Sequence, residues 1–231
     1  MLKFYIRTTG QRKLHESVNQ IKYSLIIDNE KFTEHFPNHL RDIADTDIVL
    51  IEDDVVLCEN FEMEIKRAIS KFPNKIINFF NFPLRYKDSC LEKDFYFNQC
   101  VYIPKNLILP MANAMDSYDF KAWKINSVNK IMRWALAKLK LQHIVYKPCL
   151  VQHLDDNTLI WNDKLLRPNR RSPFFIDYLK ELGIKWEDAN SEENLHKLFN
   201  LMQKKFKEID DRGTRYKPIW YKTCNFKFNL K

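Results

Sequence analysis

The chain opens with apolar residues at every second position, Leu2, Phe4 and Ile6 in "LKFYIRTT". A period of two marks a strand with one buried face. In the next segment, "QRKLHESVNQIK", Leu14, Val18 and Ile21 recur at helical spacing and predict a helix. "SLIID" reads as a second short strand, a polar helix around Leu40 and Ile43 follows, and "DIVLI" is a third strand, almost wholly apolar. Asn60 stands where a side-chain cap is needed, ahead of Phe61, Ile65, Ala68, Ile69 and Phe72 on one helical stripe that Pro73 ends. "KIINFFNF" and "FNQCVYI" predict further strands. Residues 127–141 carry the clearest helical stripe, from Val128 through Ile131, Met132, Ala135 and Leu136 to Leu139, and "HIVYKPCLVQH" returns as an extended segment. A last stripe, Leu195, Leu198, Phe199 and Met202, predicts a helix within 191–209.

Strands alternating with helices imply an α/β fold with a mainly parallel, Rossmann-like sheet flanked by helices. The C-terminal stripe adds a helical extension to it. The expected organisation is an α/β domain over 1–163 and a basic extension over 164–231. No internal repeat, heptad array or low-complexity tract interrupts that reading.

Composition changes the picture in three places. A chain of 231 residues buries most of its apolar surface without disulfide or metal staples. The five cysteines, Cys58, Cys90, Cys100, Cys149 and Cys224, form no CxxC pair and are odd in number, which points to a reducing compartment and away from a zinc cluster. No apolar run approaches the roughly 20 residues that span a bilayer, and the start lacks the long apolar core and cleavage site of a signal peptide. A soluble protein of the cytoplasm is expected, the host's cytoplasm if a phage encodes it.

Charge is uneven along the chain. Residues 1–163 carry 22 Lys and Arg against 21 Asp and Glu, whereas residues 164–231 carry 16 against 9. A basic third interleaved with aromatics ("RRSPFF", "RYKPIWYKTCNFKF") suits a polyphosphate track with stacking rings. A solvated basic surface over core aromatics is the alternative.

The candidate chemistry lies where "DIVLI" runs out into Glu52, Asp53 and Asp54. In open α/β sheets ligands bind beyond the carboxyl ends of the strands, so carboxylates there face a ligand crevice. Three such acids raise one another's pKa unless a cation compensates, which makes a divalent metal a natural partner. An ordinary exposed turn is the other reading. His153 ends the extended run "YKPCLVQH", and a neutral imidazole at a strand end can ligate a metal or serve a structural role.

Taken in order, "FYIRTTGQR", "DIVLIEDDVVLCENF", "NQCVYIPKNLI" and "YKPCLVQHLDDNTLI" resemble the GT-A-fold glycosyltransferases. The likeness is to the small phage and bacterial group near the lipooligosaccharide galactosyltransferases and the base J glucosyltransferase. It covers roughly residues 1–160. It implies a nucleotide-sugar donor, with a UDP-sugar favoured, and a divalent ion, Mn²⁺ or Mg²⁺, held by Asp54 and His153. It further implies that Glu52 and Asp53 contact the ribose or metal-bound water, and that Thr8, Thr9 and Arg12 hold the nucleotide, with Arg12 on phosphate. An inverting enzyme needs a base for the acceptor hydroxyl. Where the family places an acid before the "PxLVQH" strand, this chain has Asn126 and Asn129, and Asp116 and Asp119 stand earlier. Either Asp119 folds back, or an amide takes the position and the mechanism is retaining. The basic extension, with Arg170 and Arg171, favours a hydroxymethylated base in DNA as acceptor, with surface polysaccharide or lipooligosaccharide as the alternative. A metal-dependent nuclease and a non-catalytic nucleic-acid-binding protein complete the set.

Overall fold

One inner strand of the sheet, Asp47–Glu52, is a run that is buried at every interior position. Ile48, Val49, Leu50 and Ile51 are all inaccessible or nearly so, because both faces of the sheet are covered. The structure, a computed structural model, describes residues 2–27, 32–80, 89–90, 98–120, 127–154 and 171–209. Within them a seven-stranded sheet has the order β2-β1-β3-β7-β5-β8-β6. Its strands are β1 (Leu2–Thr8), β2 (Tyr23–Ile27), β3 (Asp47–Glu52), β5 (Ile76–Asn78), β6 (Ser89–Cys90), β7 (Cys100–Ile103) and β8 (His143–Val145). β1 pairs in parallel with β2 and β3, and β5 with β8, while β7 and β6 run against their neighbours. The fold is α/β with a mostly parallel mixed sheet. A second, two-stranded antiparallel sheet pairs β4 (Val55–Leu57) with β9 (Val151–His153).

Strand alternation sends each side of the sheet to its own core. Phe4, Ile6, Val49, Ile51 and Ile77 face α2 (Phe61–Lys71), α5 (Ile176–Glu181) and α6 (Glu192–Ile209). Tyr5, Ile48, Leu50, Ile76 and Val101 face α1 (Phe32–Asp42), α3 (Lys105–Met115) and α4 (Val128–Lys138). Each large side chain so buried contributes about 2 kcal/mol. Phe174, Phe175, Tyr178, Leu198 and Met202, from beyond residue 163, lie in the same core as Phe4 and Ile65.

Local structure differs from expectation in four places. Leu14, Val18 and Ile21 do pack into the core, but only Glu16–Gln20 coils, as a 3₁₀ turn. Side chains there bond to other backbone instead of supporting a helix: Ser17 N–H donates to His15 Nδ1 (3.1 Å), Leu57 N–H to Ser17 Oγ (2.9 Å), and Gln20 Nε2 to Cys58 O (3.0 Å). Asn60 does precede α2, yet it sits at φ 57° with no side-chain cap, and the Phe61 N–H is satisfied by Gln20 Oε1 at 3.1 Å. α3 was not predicted, because Pro110 falls inside it and breaks the helical signal. The segment "HIVYKPCLVQH" divides into β8 and β9, which belong to different sheets.

Candidate functional site

Register builds the site. Arg7 stands opposite Glu52 across the β1–β3 ladder, and each lies two positions beyond a residue, Tyr5 or Leu50, that faces the α1/α4 side. Their side chains form an ion pair, the Arg7 guanidinium lies 5.4 Å from the Phe36 ring centre, and Asn98 Nδ2 donates to Glu52 Oε1 at 2.5 Å. Burial pushes the Glu52 carboxyl up to about 7; Arg7 opposes that shift, while Asp54 and Asp53 add to it. One residue further along, the opposite face is reached. Thr8 Oγ1 donates to Asp53 Oδ2 at 2.7 Å and accepts from Gly10 N–H at 2.9 Å, where the chain turns with φ +76°.

That turn returns Arg12 over the acids. A single nitrogen, Nη1, donates to Asp53 Oδ1 at 3.0 Å and to Asp54 Oδ2 at 2.8 Å. Burial works against the Arg12 charge, but Asp54 and Asp53 outweigh it and hold the guanidinium above its ordinary pKa. From the other side comes His153, whose Nε2 is 3.4 Å from the same Asp54 Oδ2. Its position is fixed by pairing with Val55 across β4–β9 and by the Leu154 N–H, which donates to Asp54 O at 2.7 Å. Gln152, buried beside it, clamps β9 to the later chain: Nε2 donates to Ser172 O at 2.7 Å and Oε1 accepts from Ser172 N–H at 2.8 Å.

The sequence-predicted residues therefore divide. Thr8, Arg12, Glu52, Asp53, Asp54 and His153 converge at the carboxyl ends of β1 and β3, with Thr9 next to Thr8 in the chain. Thr9 Oγ1 is buried with no hydrogen-bond partner among the described residues. Asp116 is elsewhere, in an ion pair with Arg41 in the last turn of α1, beyond which β3 begins at its far end. Asp119 is exposed, next to Tyr118, which packs on Trp134 of α4. Asn129 is in the first turn of α4, and its neighbour Val128 lines a small cavity with Arg7, Glu52 and Asn98. Arg171 is buried at 7% exposure, near the Tyr178 hydroxyl. Arg170 and Asn126 lie outside the described residues. Sequence reasoning passed over Arg7, Asn98 and Gln152. Nothing in the sequence set Arg7 apart from Lys3 in the same strand, and nothing marked the two amides.

The geometry admits a divalent ion. Two ligands about 2.1 Å from one ion are themselves about 3.0–3.4 Å apart, which is the spacing of Asp54 Oδ2 and His153 Nε2. No group of three His, Cys, Asp or Glu able to hold a metal occurs among the described residues. A two-donor protein site matches the way small hard cations bind through one or two side chains, completing their shell with water and substrate phosphates.

No family profile and no curated protein matches the chain. Among the solved structures similar in fold are two from viruses. One is A197 from STIV, at 10% identity and TM-score 0.43, covering 72% of this chain and 96% of that one. The other is a glycosyltransferase involved in the glycosylation of the major capsid of PBCV-1, at 11% identity and TM-score 0.45, covering 68% of this chain and 95% of that one. Likenesses of this size concern fold and assign no activity. No described helix is long and apolar enough to cross a membrane.

Proposed function

We propose that the protein is a metal-dependent glycosyltransferase that moves a sugar from a nucleotide-sugar donor, a UDP-sugar, to a hydroxyl on a hydroxymethylated base in DNA. The observation that carries the donor half is the meeting of Asp54 Oδ2 and His153 Nε2, 3.4 Å apart, at the ends of strands from two different sheets. Sequence separation of about a hundred residues makes that meeting a product of the fold. When bound there, Mn²⁺ or Mg²⁺ supplies Lewis-acid stabilisation of the charge left on the departing diphosphate. The chain's own residues do the rest. Arg12 offers a guanidinium to phosphate oxygens, the buried Thr9 hydroxyl offers a bond to ribose or base, and Arg7 with Asn98 holds Glu52 in place.

The acceptor half rests on charge. Residues 171–209 carry seven Lys and Arg against seven Asp and Glu, so the surplus of the C-terminal third lies in 164–170 and 210–231. Such clustered cations suit a phosphate backbone. The balance over 171–209 and the burial of Arg171 suit the alternative equally, an acceptor in surface polysaccharide or lipooligosaccharide. Offering labelled UDP-sugars together with hydroxymethylated DNA, unmodified DNA and free saccharides separates them. Label on hydroxymethylated DNA alone, falling steeply with salt, is the expected result. Label on saccharides alone replaces DNA with polysaccharide as acceptor, and cutting of unmodified DNA with magnesium makes the protein a nuclease.

A further inference from the structure

Arg12 uses the carboxylate oxygen that a metal would need. Its Nη1 lies 2.8 Å from Asp54 Oδ2, and His153 Nε2 lies 3.4 Å from that same atom, so guanidinium and ion would share one side of Asp54. The same nitrogen also draws in Asp53, which Thr8 anchors from behind. Arg12 is thus a resident cation for both acids. We infer that Arg12 is an exchangeable counter-ion: it holds the acid pair together without ligand, competes with the divalent ion for Asp54, and transfers to the nucleotide's diphosphate when metal and nucleotide enter together. The inference rests on the reading of this site as a nucleotide diphosphate and metal site, and it adds a coupling between the two ligands.

The physical reasons are local. Asp53 and Asp54 repel each other and need a countercharge at all times. Arg12 is reached from a turn at Gly10, whose positive φ only glycine adopts without strain, and its side chain is 17% exposed, so it is neither deeply packed nor fixed by a strand. A guanidinium fits a diphosphate at least as well as a carboxylate, through paired N–H bonds. Metal alone must evict Arg12 with no new partner for it. Metal with nucleotide gives Arg12 one. By linkage the nucleotide then tightens metal binding by the factor by which metal tightens nucleotide binding.

The test is Mn²⁺ titration, read by calorimetry and by the paramagnetic signal of free Mn²⁺, on the parent, Arg12→Ala and Arg12→Lys, each with and without UDP. In the parent, UDP should tighten Mn²⁺ binding at least about tenfold. Arg12→Ala should bind Mn²⁺ without UDP about tenfold more tightly than the parent, and the effect of UDP should largely vanish. Arg12→Lys, which keeps a cation at the acids, should bind Mn²⁺ without UDP about as weakly as the parent and guards against a folding defect in the alanine variant. Unchanged or weaker Mn²⁺ binding in Arg12→Ala, with Mn²⁺ and UDP still binding the parent together, overturns the exchange alone. Absence of Mn²⁺ binding to the parent even with UDP overturns the metal site and the exchange with it.

Discussion

Glu52 and Asp53 are neighbours in the chain but serve different partners, because consecutive strand residues face opposite sides of the sheet. Glu52 turns toward Arg7, Asn98 and the Phe36 ring; Asp53 turns toward Thr8 and Arg12. The two acids therefore differ in duty, Glu52 held by Arg7 and Asn98 and Asp53 by Thr8 and Arg12. Burial first, then Asp54 and Asp53, raise the Glu52 pKa from 4.5 to about 7 against the pull of Arg7. A carboxyl raised on folding stabilises the protein fully below its unfolded pKa, and that stability is lost as pH rises through the folded value. Between pH 4.5 and 7 the unfolded chain ionises here while the folded one keeps its proton. Unfolding temperature measured against pH, in the parent and in Glu52→Gln, tests this. The parent should lose ground to the variant across that window and run parallel to it above. Parallel curves throughout would mean that folding leaves the Glu52 pKa where the unfolded chain has it. At this scale the acid triplet and His153 were legible from the sequence as charges at strand ends. Arg7 and Asn98 were not, since nothing in a single chain marks which residues will stand opposite one another.

At the scale of elements, the pair β4–β9 matters more to the site than the large sheet does. It is only three residues long on each strand, yet it brings Asp54 and His153 to the same place. So short a ribbon is marginal alone and needs outside support. Gln152 supplies that support through its two bonds to the Ser172 backbone, in a site where Ser172 is wholly buried. Gln152→Ala would leave a buried N–H and a buried C=O without their partner, at a cost of about 3 kcal/mol. Denaturant unfolding should show that loss, and Mn²⁺ affinity in the presence of UDP should fall with it, since β9 carries His153. A variant as stable as the parent would remove the clamp from this account. β1, β2, β3, β5 and β7 and the helices α1, α2, α4 and α6 were legible as periodicity, whereas β4, β6 and α5 were too short to carry a period. The 3₁₀ turn at Glu16–Gln20 was not, because its apolar spacing is helical while its conformation is set by side-chain bonds to distant backbone. α3 was hidden by Pro110, and the split between β8 and β9 by the absence of any turn residue except Pro148.

Across the whole molecule, two cores flank the two faces of one sheet, and segments far apart in the sequence meet at the carboxyl ends of β1 and β3. β1 and its loop bring Thr8 and Arg12 there, and β9, held by residues 171–175, brings His153. The α/β class was legible because alternating strands and helices have few ways to pack. The place of the basic surplus was legible only as a sum over 164–231; over 171–209 charges balance, and Arg171 is spent inside the fold. The central claim is that Asp54 and His153 make a nucleotide diphosphate site that works through a divalent ion. Titration calorimetry of UDP, in Mn²⁺ and in chelator, with the parent and Asp54→Asn, addresses it most directly. Expected are UDP binding by the parent in Mn²⁺, its loss in chelator, and its loss in a folded Asp54→Asn even with Mn²⁺ present. Equally tight UDP binding by the parent in chelator, or by Asp54→Asn in Mn²⁺, would contradict it.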